Sequence, residues 1–413
     1  MFVLEGKRLP IKVWLNAPTD LEEKCLQQAQ NLSGLPFAVK HIALMPDTHM
    51  GYGMPVGGVL ATEGVIIPNA VGVDIGCGMG FVQTNIPVQL LKEVQTGSGT
   101  LLQAMIGNIL RNIPTGFAHR KDSLELSGAT QALIPHHLVD IGSEEEHMGQ
   151  NIFPSIYKQV GTLGGGNHFI ELQENEEGML AIMLHSGSRN VGKQVCDFFN
   201  KKAKEANLLW HTQVPREWDL AFLPVDTTLG KKYIAWMNFA MAFAMENREV
   251  MLRETKNIVF NMIKKYANFS GIETSLEVNA HHNYAVIENH FGQNVWVHRK
   301  GAISAREGQL GIIPGAMGSY SYIVEGKGEV QSFTSCSHGA GRKLSRTKAL
   351  EAKSQQEVME DLNSMGVVIG KTSMKDVAEE GRHAYKDIDT VINNESDLIK
   401  VVSKLKTVGV VKG

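Results

Sequence analysis

The chain has 413 residues, a formal net charge of −3, 43% hydrophobic and 20% charged residues. These values fit an ordinary globular chain and exclude an intrinsically disordered or collagen-like one, while the acidic balance confines any nucleic-acid contact to a local patch. Four scattered cysteines, Cys25, Cys77, Cys196 and Cys336, make no disulfide framework and point to a reducing, cytoplasmic setting. The N-terminal MFVLEGKRLPIKVW carries no signal-peptide pattern, and no apolar run is long enough to cross a bilayer, so no membrane role is expected.

In chain order, residues 1–40 predict one or two short strands and an amphipathic helix from about Asp20 to Leu32, with Thr19 as its N-cap. His41–Met45 reads as a strand that hands over to Pro46-Asp47-Thr48-His49, where Asp47 and His49 sit at a strand end. A second strand follows at Val59–Ala61. Val71-Gly-Val-Asp-Ile reads as a short buried strand delivering Asp74 and Cys77 into a glycine-rich bend of Gly76, Gly78 and Gly80. A carboxylate and a thiol three residues apart on such a bend can ligate one metal centre. They can equally be a capping aspartate and a structural cysteine.

Val88–Arg111 is helical in pattern. His119, His136, His137 and His147 lack ligand spacing and read as surface or loop residues, and Arg111, Arg120 and Lys121 as a solvated face. Gly161-Thr-Leu-Gly-Gly-Gly-Asn-His-Phe-Ile-Glu171 then runs from glycines into Asn167, His168, an apolar strand and Glu171. Leu180–Leu184 is a further buried strand ending at His185-Ser-Gly-Ser-Arg189, before a helix at Val191–Ala206. Residues 230–266 give the longest helical pattern, a scaffold whose Trp236, Phe239, Phe243, Met251, Val259 and Met262 face the core. In Glu277-Val-Asn-Ala-His281-His282-Asn283, adjacent side chains of a strand point oppositely, so at most one of the two histidines reaches a given site. Gly311–Ser319 is a loop of backbone donors suited to phosphate. Ser335-Cys336-Ser337-His338-Gly339-Ala340-Gly341-Arg342 offers His338 as a nucleophile toward phosphorus, Arg342 as charge stabiliser and Cys336 as the rival nucleophile. The tail from Asp387 is expected to be helical.

Asp74, Cys77, His168, His185 and one of His281 and His282 thus form a set able to hold two divalent ions bridged by thiolate, with Mn, Zn, Fe and Co all admissible. Neither a Lys-x-Asp-Gly motif nor a Gly-x-x-x-x-Gly-Lys-[Ser/Thr] loop is present. Candidate residues run from Asp47 to Lys412, which implies one interwoven unit, 1–413.

The segments MPDTHMGYGMPVGGV (45–59), GVDIGCGMG (72–80), GTLGGGNHFIEL (161–172), HSGSRNVG (185–192), HHN (281–283), RKGA (299–302), IIPGAMGS (312–319), SCSHGAGR (335–342), AYKDID (384–389) and the terminal VKG resemble, in order, those of the RtcB RNA-splicing ligases. The stretch from about Gly97 to Ile152 resembles them weakly. The resemblance implies an α+β fold, a single compact domain with mixed sheets around a central dinuclear metal cleft. It implies joining of 3′-phosphate or 2′,3′-cyclic phosphate RNA ends to 5′-hydroxyl ends with GTP and two Mn²⁺ ions. By motif, Cys77 would bridge the ions, with His168 and His185 completing one site and Asp74 and His282 the other. His338 would be guanylylated. Asn167, Glu171, Arg342, Tyr385, Lys412 and the loop Pro314, Gly315, Ala316, Met317, Gly318 and Ser319 would hold the nucleotide, and Arg189 and Arg346 the RNA end. An archease-type activator is the protein partner it brings into view, and the chain itself is read as a monomer. Two other readings are a metal-dependent phosphoesterase and a non-ligating RNA-binding paralogue. Retention of His338, Arg342 and Lys412 speaks against the first, and the intact ligand set against the second.

Overall fold

The computed structural model describes residues 1–135, 142–374 and 376–413. Its frame is two sheets. The first has six strands, in the order Phe2–Leu4, Ile11–Val13, Ala38–His49, Val56–Thr62, Gln293–Lys300, Asn283–His290. One pairing in it, Ile11–Val13 with Ala38–His49, is parallel and the rest are antiparallel. The second has eight strands. Seven run in the order Thr274–His281, Gly78–Pro87, Met179–Ser186, Phe169–Glu174, Ile399–Lys412, Tyr320–Gly326, Leu310–Ile313, and Val368–Gly370 pairs in parallel with Ile399–Lys412.

Strand periodicity explains how the second sheet is buried on both faces. Along Met179–Ser186, Ile182 and Leu184 pack with Val82, Ile170, Leu172 and the helix Leu101–Asn112. The intervening Ala181 and Met183 pack the opposite way, with Phe81, Phe169, Ile312 and Val410. The 39-residue helix Thr228–Tyr266 crosses behind this sheet, and the six residues expected to face the core are all buried. This is one compact α+β domain. No helix among the described residues is long and apolar enough to cross a membrane.

Three local expectations are corrected. Val71–Ile75 is no strand: Pro68–Val71 is one helical turn, started by a proline and stopped at Gly72 with φ +99°, and the strand begins only at Gly78. The tail is helical only over Ile388–Asn394. Beyond it the β-branched run of Ile399–Lys412 becomes a 14-residue strand inserted in the sheet, as its valines favour. Val88–Arg111 is two helices, Val88–Glu93 and Leu101–Asn112, split by the hairpin Gln95–Thr96/Gly99–Thr100. His119 and His147 are exposed, as expected of loop and surface residues, whereas His136 and His137 lie outside the described residues. Arg120 forms an ion pair with Glu254.

Candidate metal centre and nucleophile

The register of the second sheet gathers the ligand residues. His185 stands opposite Met79 on one side and Phe169 on the other, while His281 stands opposite Gly78. Cys77 and His168 immediately precede two of these strands, and the His282 N–H bonds the Cys77 carbonyl at 2.8 Å. Thus residues 77, 168, 185 and 282, far apart in sequence, come to one end of four neighbouring strands. The next strand adds Lys412, paired with Phe169.

A single helical turn ties the carrier loops together. Asn247 accepts the N–H groups of Gly161 and Thr162 and donates to the carbonyl of Gly187. Arg248, fully buried, donates to the carbonyls of Gly76 and Ser186 and to Asn279. His281 is turned toward Arg248, with 3.1 Å between Nη2 and Nδ1, which leaves His282 as the member of the pair facing the cluster.

The donor atoms fall into two groups, Asp74–Cys77–His168 and Cys77–His185–His282. His168 Nε2 is 3.2 Å from Asp74 Oδ2 and 3.5 Å from Cys77 Sγ. His185 Nε2 is 3.3 Å from both Cys77 Sγ and His282 Nε2. The grouping implied by the resemblance, His168 with His185 and Asp74 with His282, is therefore replaced. His282 follows the outer strand, and its ring reaches that of His185, whereas His168 lies on the side of Asp74. Cys77 is the residue common to both groups.

The donor set fits divalent ions. Ligands about 2.0–2.3 Å from one ion stand roughly 3–3.5 Å from each other, which is the spacing seen. His168 Nδ1 lies 3.0 Å from the Leu163 carbonyl and His185 Nδ1 3.3 Å from that of Asn167, so Nδ1 carries the proton and Nε2 turns its lone pair inward. Burial, aided by the neighbouring cations, holds His185 and His282 well below the usual imidazole range, in the neutral form that ligates. Burial and the Asp74 charge push the Cys77 thiol well up, so a thiolate here needs a cation beside it. Gly187 is required by close approach, since a Cβ on it would lie 2.1 Å from Asp74 Oδ1.

His338 enters from the other side of the same cavity, which has a volume of about 470 Å³. It follows the short strand Ser335–Ser337, which pairs with Ala302–Ser304. Its Nδ1 is 2.6 Å from Asp47 Oδ2, and its backbone N–H reaches the same oxygen at 3.1 Å. Asp47 is fully buried. Burial would raise its carboxyl, but the adjacent His338 overcomes this and holds it below the usual range. Asp47 occupies Nδ1 and leaves Nε2 as the nitrogen free for attack. The ring stands edge-on to His282, 4.8 Å between centroids. Cys336 is fully buried, its thiol pushed well up by that burial, and it does not line the cavity.

The rest of the cavity wall includes Asn167, Glu171, Pro314, Gly315, Ala316, Met317, Arg342, Arg346, Tyr385 and Lys412. Gly318, Ser319 and Arg189 are not part of it. Gly318 packs by Met365, and the Ser319 N–H closes a turn on Ala316. The Arg189 guanidinium is bound to Thr162 and the Gly116 carbonyl. Arg342 is also occupied: it donates to the carbonyls of Leu344 and Glu379, to Glu380 and to the Tyr385 hydroxyl.

Sequence reasoning passed over Glu380, which organises this wall. Lys412 lies 3.3 Å and the Tyr385 hydroxyl 2.5 Å from its Oε2, and Arg342 3.2 Å from its Oε1. Burial opposes its ionisation, yet Lys412, Tyr385 and Arg342 together hold it at about 2. Lys300, inside the matched RKGA segment, was also passed over. It is buried in the cavity wall, donates to the carbonyls of Tyr52 and Asn69, and is pushed down by burial to about 8. Glu380 lies in the charged run Glu379-Glu380-Gly381-Arg382-His383, where nothing local marks it, and the signal for Lys300 was a charge at the end of an apolar strand.

Fold and site together define a protein built on a buried thiol–imidazole–carboxylate cluster able to hold metal, with His338 facing it. The profile of the family described as tRNA-splicing ligase RtcB matches residues 28–413, and the chain belongs to this RtcB family. It is 38% identical over 414 residues to the RNA-splicing ligase RtcB of Escherichia coli K12, covering 100% of this chain and 99% of the relative. It is 33% identical over 470 residues to the tRNA-splicing ligase RtcB of Methanococcus maripaludis, with 98% and 95% covered. To the RNA-splicing ligase RtcB of Mycobacterium tuberculosis it is 32% identical over 442 residues, with 94% and 100% covered.

Proposed function

We propose that this chain is an RNA ligase that joins a 3′-phosphate or 2′,3′-cyclic phosphate end to a 5′-hydroxyl end, using GTP and two Mn²⁺ ions. The observation that carries this reading is the placement of His338. Its Nδ1 is held by Asp47 and its ring faces His282 in a cavity lined also by Asp74, Cys77 and His185. Hydrolysis of a phosphoester needs no guanylate carrier.

In this reading Asp74, Cys77 and His168 hold one ion and Cys77, His185 and His282 the other. Bound there, divalent ions would neutralise phosphate charge and act as Lewis acids. His338 Nε2 attacks the α-phosphorus of GTP, forming an N–P bond as the α–β P–O bond breaks and pyrophosphate leaves. The Asp47 carboxylate orients the ring and stabilises the positive charge that develops on it. His338 then yields GMP to an oxygen of the RNA 3′-phosphate, a cyclic end having first been opened by water. Attack of the 5′-hydroxyl oxygen on the activated 3′-phosphorus releases GMP and closes the phosphodiester.

Lys412 and Tyr385, oriented by Glu380, serve the nucleotide, as do Asn167 and the Pro314–Met317 stretch. Glu171 presents a carboxyl, an acceptor suited to the N–H groups of a guanine edge and unsuited to phosphate. Arg346, with its side chain 58% exposed at the cavity, serves the RNA end. Arg189 and Arg342 act through the loops they tie. The setting is cytoplasmic, the enzyme a monomer, and an archease-type activator its protein partner.

The test is incubation with α-labelled GTP and Mn²⁺. The expected result is a protein–GMP bond that survives alkali and is lost in mild acid, because protonation makes imidazole a good leaving group from a phosphoramidate. RNA with a 3′-phosphate should discharge it, and a 5′-hydroxyl partner should then give joined product and free GMP. An acid-stable label, or joining of a 5′-phosphate to a 3′-hydroxyl, refutes the mechanism.

A further inference from the structure

Three buried oxygens behind the nucleophile have no hydrogen-bond partner among the described residues: Asp47 Oδ1, Ser337 Oγ and Glu395 Oε1. All three residues are 0% exposed. An unpaired buried polar atom is destabilising, so three on segments that meet at one place call for a common cause. They belong to connected groups. Glu395 Oε2 accepts the Ser337 N–H at 2.8 Å, and the next residue is His338, whose N–H and Nδ1 both go to Asp47 Oδ2.

Glu395 is itself fixed. It caps the helix Ile388–Asn394, and its carbonyl accepts the N–H groups of Leu398 and Ile399 at 2.8 and 3.1 Å. The start of the same segment holds the other partner. Lys386 Nζ donates to the carbonyls of Pro46 and Thr48, the two neighbours of Asp47. Residues 386–395 therefore grip both halves of the Asp47–His338 pair.

We infer that Glu395 is a positioning residue for His338: a neutral carboxylic acid that anchors Ser337 and shares one buried water with Ser337 Oγ and Asp47 Oδ1. The inference rests on the ligase reading for its catalytic consequence. A buried water needs two to four polar partners, and three are present. A neutral acid has an O–H to donate, whereas a carboxylate only accepts. Burial first, and then the charges of Asp47 and Asp397, keep the Glu395 carboxyl well above its ordinary range, against the N–H and the nearby hydroxyl of Ser337, which pull it down. Asp47 remains the charged partner of the ring, its Oδ1 tethered by the water and its Oδ2 committed to His338. The nucleophile is thereby aimed without a second anion beside it.

Two substitutions and two readings test this. Glu395→Leu removes the polar atoms at similar volume, and Glu395→Gln restores a donor and an acceptor without a charge. At saturating GTP and well below either variant's Tm, Glu395→Leu should form the labelled GMP adduct about tenfold more slowly or worse, with apparent GTP affinity unchanged, and Glu395→Gln should rescue it. A Glu395→Gln rate as low as that of Glu395→Leu, or a Glu395→Leu rate equal to the parent's, overturns the proposal. A parent that forms no adduct overturns the ligase reading instead. The second reading needs no GTP: a high-resolution crystal structure of the parent should show one water bonded to all three oxygens. An empty site, or a metal ion in it, overturns the proposal.

Discussion

Asp47 and His338 are 291 residues apart in the chain, and their side chains meet at 2.6 Å, carboxylate oxygen to Nδ1. Asp47→Asn removes the charge and keeps the size. It should slow adduct formation from GTP by about 10- to 100-fold, the range expected for a hydrogen bond to a charged group, with metal content unchanged. An adduct rate in Asp47→Asn equal to the parent's would show that the pair only supports the fold.

The metal centre gives a second test. Because Cys77 belongs to both donor groups, Cys77→Ala should lose both ions. Asp74→Ala should lose one and spare the ion held by Cys77, His185 and His282. Elemental analysis with anomalous scattering decides which ion remains, and full metal content in Cys77→Ala would exclude a bridging thiolate.

Glu171 supplies a pH dependence. Burial raises its carboxyl to about 7, against the opposing bonds from Thr407 and Gln173. Between the ordinary value of 4.5 and about 7 the folded protein holds a proton that the unfolded chain has released. The ionised Glu171 therefore costs stability as pH rises through that window, and in full above it. In the ion-free and nucleotide-free protein, Glu171→Gln should gain on the parent from nothing near the low end to about 3 kcal/mol above the high end. Denaturant midpoints at several pH values measure this. The same variant should bind GTP more weakly.

Backbone contact behind His338 is a fourth test. Gly341 has φ +72°, and a Cβ on it would lie 2.1 Å from the Asp47 carbonyl oxygen. Gly341→Ala should therefore push apart the Asp47 and His338 loops, lower Tm and suppress the adduct even though no catalytic side chain is changed. An unchanged adduct rate would mean that the two loops move together.

Much of this site was legible because its ligands sit at strand ends beside glycines, and strand ends were readable from apolar runs such as Leu180–Leu184. Strand alternation left His281 and His282 open, the choice of His282 came from the family resemblance at the His-Asn pair, and the Arg248 contact of His281 agrees with it. What could not be read was pairing across the sheet. Which donors share an ion depends on strand order, and no local pattern encodes that His185 neighbours His282. For the same reason Asp47 was seen at a strand end without its partner, and Glu380 and Glu395 were not singled out at all. Val71–Ile75 misled because its apolar residues line a bend, and the tail because its helix-friendly start precedes a β-branched strand.

The strand Ile399–Lys412 lies between Phe169–Glu174 and Tyr320–Gly326 and bonds to both. Until it is inserted, the second sheet is two unconnected halves, one carrying the cysteine and histidines and the other the Pro314–Met317 wall. Assembly must therefore close very long loops before the cavity exists, a slow and topologically late event. Cleavage of the backbone between residues 326 and 399 need not disturb any ligand, yet it frees the wedge that joins the halves. Such a nick should silence nucleotide capture while leaving ion binding partly intact, so proteolytic damage to this chain would yield an inert protein that still sequesters metal.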